Sequence, residues 1–204
     1  MNHFPKITVT DHYIYIARFI WLLTNDERFK KQLGEISTAD LTTKIKKQGA
    51  VLAGELSDKF YSVSEMVAQH TNCHWPSHIS SIIVYPTFFR GFSHPLFLQV
   101  LTLEDGLIKL RDKMLMMGLL VHEICHNNLL KPKNLSHQIN EAVVESLTLA
   151  ILDNIDNAYA KQYENFLQKV HPDWKQNLPE EILSGNVKII DYYNNYTNKN
   201  SPRL

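Results

Sequence analysis

Cysteine is scarce in this chain. Cys73 and Cys125 are the only two among 204 residues, too few for the disulfide framework that staples a small secreted domain. Also missing are a basic, apolar, small-residue leader and any apolar run of the roughly 18 residues that a membrane span needs. Charge of one sign is not in excess: 21 Lys and Arg balance 21 Asp and Glu. That balance removes the electrostatic case for nucleic acid or an anionic membrane surface as partner. No internal repeat is visible, which excludes solenoids and propellers. These absences predict a soluble protein of a reducing, cytoplasmic compartment, with no membrane span and no nucleic-acid partner.

What is present is enough apolar sequence for one sizeable core: 44% hydrophobic against 21% charged residues. Residues 1–70 read as a helical scaffold or appendage. An extended lead over residues 1–10 is followed by a helix capped by Thr10 or Asp11, with Tyr13, Ile16, Ala17, Ile20 and Leu23 on one face. A polar turn follows over Asn25–Lys31. A further helical pattern runs from Thr38 to Phe60, with Gly49 and Gly54 as points of kinking or close packing. Ser62 or Ser64 then caps a piece from Glu65 to His70. Residues 71–204 hold the candidate chemistry and end in a tail expected to fray, and one continuous domain is equally open. Ile79–Tyr85 and Phe97–Leu103 are β-branched or aromatic runs that predict strands, with the Pro86–Pro95 stretch as a loop between them.

One other cluster looks like a metal site. Cys73, His74 and His78 lie close in sequence, but Pro76 forbids the helix that would stack the two histidines. An ordinary loop is the favoured reading there.

The chemistry gathers at His122-Glu123-Ile124-Cys125-His126. Residues four apart on an α-helix lie one turn above each other, so His122 and His126 can ligate one metal ion. Glu123 can then reach a water on the open side of that metal as a general base. With 10 His and 11 Glu in the chain, this pattern arises by chance only about 0.03 times. The apolar run Leu107–Leu120 predicts a helix starting near Glu104 or Asp105, and Asn127, Asn128 and Pro132 predict its end. Gly118, one turn before His122, either keeps a cleft floor low or allows close helix packing. Cys125 points off the ligand face and reads as a small buried residue.

A second apolar-periodic helix opens at Ser136 and runs to about Asp153 or Asp156. It carries Asn140-Glu141-Ala142 and then Glu145. His-Glu-x-x-His followed by a helical Asn-Glu-Ala-x-x-Glu resembles the gluzincins, zinc metallopeptidases whose third ligand is a helical Glu. The resemblance covers roughly residues 96–156. It implies Zn²⁺ held by His122, His126 and Glu141, with Glu145 hydrogen-bonded to the far nitrogen of a ligand His. The spacing is ambiguous: 14 residues separate His126 from Glu141 and 18 separate it from Glu145, the latter the gap of aminopeptidase-type gluzincins. Glu141 is preferred because the Asn-Glu-Ala word and its partner at plus four match together.

The resemblance further implies an α+β, zincin-like fold. A small, mainly antiparallel sheet would lie over the active-site helix and the glutamate helix, and one of the two predicted strands would pair with an extended peptide or protein substrate. It implies a peptidase with Glu123 as base and a downstream His or Tyr stabilising the oxyanion. Tyr159, Tyr163 and His171 are the candidates, and His171, beside a Pro after a helix, is chosen. Three other readings stay open: a zinc-binding pseudoenzyme, a regulatory protease that binds partners through its N-terminal helices, and a helical binding protein without metal.

Overall fold

The computed structural model describes residues 4–10, 38–57, 60–75, 77–87, 92–93, 96–104, 107–129, 135–185 and 188–200. The expected helix over Thr10–Leu23 and the polar turn at Asn25–Lys31 lie outside the described residues, apart from Thr10.

The extended lead becomes a strand, β1 (Lys6–Val9), parallel to β2 (Ser81–Thr87). A parallel pair needs a long crossover. Its described part is helical: α1 (Thr38–Ser57) packs on both strands, and α2 (Phe60–Thr71) packs on β1. Gly49 marks close packing, since a Cβ there would stand 3.0 Å from the ring of Pro86 on β2, whereas Gly54 meets nothing within 4 Å. Ser64 caps nothing. It is buried inside α2, which begins at Phe60.

From β2 the chain reaches a two-residue strand, β3 (Phe92–Ser93), and returns as β4 (Leu96–Gln99), which lies between β2 and β3. The order is β1-β2-β4-β3, with β4 parallel to β2 and β3 antiparallel to β4. The expectation of a mainly antiparallel sheet is therefore corrected: two of the three pairings in this sheet are parallel. Hydrophobic runs fix the strands but not the direction of their partners, so periodicity could not decide this. Strand β2 also runs through Pro86, where the sequence suggested an end. The β1 ladder closes at Thr10 N–H to Val84 C=O (3.0 Å), so the missing N–H of Pro86 falls beyond it.

The run Phe97–Leu103 is two strands rather than one. After Val100 the chain leaves the main sheet and forms a hairpin, β5 (Leu101–Glu104) with β6 (Leu107–Leu110). The helix expected from Leu107 consequently starts later. Leu107 and Leu110 belong to β6 and are exposed. Helix α3 (Lys113–Asn128) opens at Asp112, whose carboxylate accepts from the N–H groups of Met114 and Leu115. Strand pairing consumed the residues that apolar periodicity alone assigned to the helix, and a capping Asp set its true start.

Helix α3 buries Met116, Met117, Leu120, Val121, Ile124 and Cys125. Burial pushes the Cys125 thiol up to about 12, as suits an unreactive packing residue. Asn128 ends the helix and ties it to α2, pairing through Oδ1 with the Thr71 hydroxyl and donating to the Cys73 carbonyl (3.3 Å). The second helix, α4 (His137–Ile155), is capped by the Ser136 hydroxyl on the Ile139 N–H. Asp156 closes it and caps α5 (Asn157–Val170) in turn. A 3₁₀ turn (Trp174–Asn177), a short α6 (Glu180–Leu183) and α7 (Ile189–Asn200) follow. Helix α7 lies in the stretch expected to fray, and its Tyr193 is buried with its hydroxyl 3.5 Å from Asn140 of α4.

The architecture is α+β. Helices α3, α4 and α5 pack on one another, and β3 and β4 lie against α3. Ile7 of β1, Leu41 and Ile45 of α1, Leu98 of β4, Leu120 of α3 and Val144 of α4 belong to one apolar cluster, so residues on both sides of position 70 share a core. No helix among the described residues is long and apolar enough to cross a membrane.

Candidate metal centre

Helical spacing brings His122 and His126 together as expected. Their Nε2 atoms are 3.1 Å apart, with the rings nearly perpendicular. Packing of α4 against α3 then brings in Glu141, whose carboxylate lies 3.6 Å from His122 Nε2 and 3.4 Å from His126 Nε2. Among the described residues, these three form the group with ligand spacing. Cys73, His74 and His78 form no such group.

The distances can be compared with a metal site. Ligand bonds of about 2.0–2.1 Å arranged tetrahedrally put neighbouring ligand atoms roughly 3.3 Å apart. The two imidazole nitrogens, 3.1 Å apart, come near that value, and Glu141 approaches His122 through Oε2 (3.6 Å) and His126 through its other oxygen, Oε1 (3.4 Å). Two imidazole nitrogens this close need a proton or a metal ion between them, because two facing lone pairs would repel. The donor set of two imidazoles and one carboxylate therefore fits a four-coordinate divalent ion with one position left for water or substrate.

The other side of His122 is fixed as well. Its Nδ1 lies 3.1 Å from the Tyr163 hydroxyl and 3.4 Å from Glu145 Oε2. Tyr163 donates to that same carboxylate oxygen at 2.7 Å. With its own proton given to Glu145, the Tyr163 oxygen can accept from His122. Both partners thus assign a proton to Nδ1 and turn Nε2 toward the site, where a metal could take the place of any second proton. Glu145 lies behind His122 and Glu141 lies beside both Nε2 atoms. The two spacings that the sequence left in competition are separated here by which ring nitrogen each carboxylate reaches.

Electrostatics follow the same geometry. Without metal, burial pushes the His122 pKa down, but hydrogen bonds to Glu141 and Glu145 outweigh it and raise the group to about 10. Burial alone would raise the Glu141 carboxyl, yet the two histidines hold it well below the usual carboxylate range. The Glu123 carboxyl is pushed up by burial, and the facing histidines oppose the shift. A carboxylate displaced upward is a better proton acceptor than one in water.

The three oxyanion candidates part company. The Tyr159 hydroxyl bonds Glu55 on α1 (2.9 Å), which also pairs with Lys113 (2.9 Å), so Tyr159 is a structural tie. Tyr163 is fully buried and engaged behind His122. His171 caps α5 and lines a cleft of about 320 Å³ together with His122, Glu123, Glu141 and Glu145. Gly118 marks close packing rather than a low floor: the Tyr163 ring crosses α3 there.

Two residues near the site were not singled out from sequence. His137, one turn before Glu141 on α4, puts Nδ1 3.4 Å from its carboxylate, a contact that the four-residue spacing could have revealed. Arg111 also lines the cleft. Nothing local in the sequence marks it, because β4 and α5 supply its surroundings.

No family model matches the chain, and neither curated proteins nor solved structures show a match to it.

Proposed function

We propose that this protein is a zinc-dependent peptidase of gluzincin type, with a zincin-like arrangement of the sheet over α3 and α4. The observation that carries this reading is the grouping of His122, His126 and Glu141 with ligand atoms within 4.8 Å of one another, where His122 and Glu141 line one cleft with Glu123. Two imidazoles and a single carboxylate suit Zn²⁺, which prefers four mixed nitrogen and oxygen ligands to the all-oxygen shells of Mg²⁺ and Ca²⁺. When bound, the ion supplies Lewis acidity to a scissile carbonyl and lowers the pKa of its water toward about 7.

The chain's own residues do the rest. Glu123, next to a ligand and lining the cleft, takes a proton from the attacking water and delivers it to the leaving amine. Glu145 and Tyr163 hold His122 in the tautomer that presents Nε2. His171, on the cleft wall, is assigned the oxyanion that develops on the carbonyl. Strand β4 lies along α3 and is the element against which an extended peptide would be laid. The presence of Glu123 speaks for a working enzyme over a zinc-holding pseudoenzyme.

The experiment is elemental analysis of the purified full-length chain followed by digestion of a peptide library. One zinc per chain and cleavage abolished by a chelator are expected. Zinc retained undiminished in a His122→Ala/His126→Ala double variant would overturn the assignment.

A further inference from the structure

The cleft that contains His122 and Glu123 has a cation at a second point on its wall. Arg111 is the one Lys or Arg among the described residues lining it, in the company of Glu123, Glu141 and Glu145. Acidic groups in a confined cleft repel an anionic substrate, so a cation placed there has an electrostatic consequence for what can enter.

Arg111 is held in place from three sides. Its N–H donates to the Val100 carbonyl (3.1 Å), and its carbonyl accepts from Gln48 Nε2 (2.6 Å). The guanidinium donates to Gln99 Oε1 on β4 (2.6 Å), and its carbon lies 5.7 Å from the centroid of the Phe166 ring of α5 as a cation–π contact. These contacts hold the planar guanidinium at a set angle, and a guanidinium fork matches a carboxylate in two parallel hydrogen bonds. A flexible lysine would offer the charge without this preorganisation.

The helix gives the scale. Arg111 lies two residues before Lys113, the first residue of α3, and His122 is nine residues beyond Lys113. At 1.5 Å per residue those nine span roughly 13 Å along the axis, and the two residues before the helix add at most about 7 Å. An extended peptide covers about 3.3 Å per residue, so the backbone interval is at most about six residues. Phe166 continues the wall toward the metal ligands: its ring is 6.0 Å from that of Tyr163, whose hydroxyl touches His122.

We infer that Arg111 binds a carboxylate of the peptide substrate, within about six residues of the bond that is cut. The inference rests on the peptidase reading for its substrate class. The carboxylate is the C-terminal one of a short peptide or the side chain of an Asp or Glu, and the two sources are separable.

The test uses the full chain, zinc-loaded, as the Glu123→Gln variant so that peptides bind without turnover. Three labelled peptides are compared: a neutral hexapeptide with a free C-terminus, the same sequence amidated, and an amidated version carrying one Glu. A free acid that binds at least about tenfold tighter than its amide identifies the terminal carboxylate. The same gain for the Glu peptide identifies the side chain. In either case the ratio should collapse when Arg111→Gln is added and survive in part with Arg111→Lys. Equal binding of all three peptides, a preference unchanged by Arg111→Gln, or no binding at all would overturn the inference. Cleavage by the wild type is scored separately. Carboxylate preference without cleavage sinks the peptidase reading and leaves Arg111 standing, whereas cleavage of all three peptides at one rate, with equal binding, does the reverse.

Discussion

The ring of Tyr163 lies against the bare Cα of Gly118: a Cβ built on Gly118 would stand 2.5 Å from Tyr163 Cδ2 and 2.9 Å from its Cγ. This contact lets α5 approach α3 closely enough for the tyrosine hydroxyl to reach both His122 and Glu145. Gly118→Ala should therefore act on the metal centre without touching a ligand. Alanine gains about 1 kcal/mol of helix propensity, but overpacking costs about 1–3 kcal/mol, and the clash is with a ring anchored at both ends. We expect lower thermal stability and weaker zinc binding. In a Tyr163→Leu background the same change should cost less, and simple additivity of the two substitutions would refute the coupling.

Removal of the hydroxyl alone asks a different question. Tyr163→Phe keeps the ring on Gly118 but takes a donor from the buried Glu145 carboxylate, at a cost of about 1–3 kcal/mol in stability. Zinc affinity should fall about 10–100-fold, the usual effect of losing a group that orients a ligand. Chelator competition measures it, and an affinity equal to wild type would show that Glu145 orients His122 unaided.

The two glutamates of α4 should differ in kind. Glu141→Ala removes the carboxylate that faces both Nε2 atoms, and zinc binding should collapse. Glu145→Ala should again cost about 10–100-fold. The reverse order in a zinc titration at one pH would exchange their roles.

Glu123→Gln should keep the metal and lose about 10²–10⁴-fold in hydrolysis, because an amide cannot accept the water proton. Equal turnover of a cleavable peptide by wild type and variant rules Glu123 out as the base.

The metal-free protein should also show a defined pH response. His122 rises from 6.5 when unfolded to about 10 when folded. A raised pKa means stability fully present below about pH 6.5 and lost as pH climbs toward 10. The Glu141 carboxyl is depressed, so its contribution is present above its unfolded value of 4.5 and lost in acid. Thermal melts in chelator should therefore be highest between about pH 4.5 and 6.5 and fall on the alkaline side. Bound zinc displaces the His122 proton and should flatten that alkaline fall. A metal-free melting temperature constant from pH 6.5 to 10 would contradict the ion pairing at His122.

The sequence by itself determined what a single helical turn can determine. His122 and His126 are stacked because 3.6 residues make a turn, and Glu123 follows from its place between them. Ser136 and Asp156 could be read as bounds of α4 because capping is a local hydrogen bond between a side chain and the first free N–H groups. Local physics was insufficient where two elements compete for one apolar run. Leu107–Leu110 has helical periodicity, yet it is a strand because β5 was available to pair with it. Parallel or antiparallel order in the sheet, likewise, is a property of partners and crossovers rather than of any one strand. The site divides along the same line. Tertiary packing alone decided that Glu141 faces both Nε2 atoms while Glu145 faces Nδ1, that Tyr159 ties down Glu55, and that Arg111 looks into the cleft. Each of these depends on the angle and distance at which separate helices and strands meet, and those are set by side-chain volumes such as the missing Cβ of Gly118 beneath the ring of Tyr163.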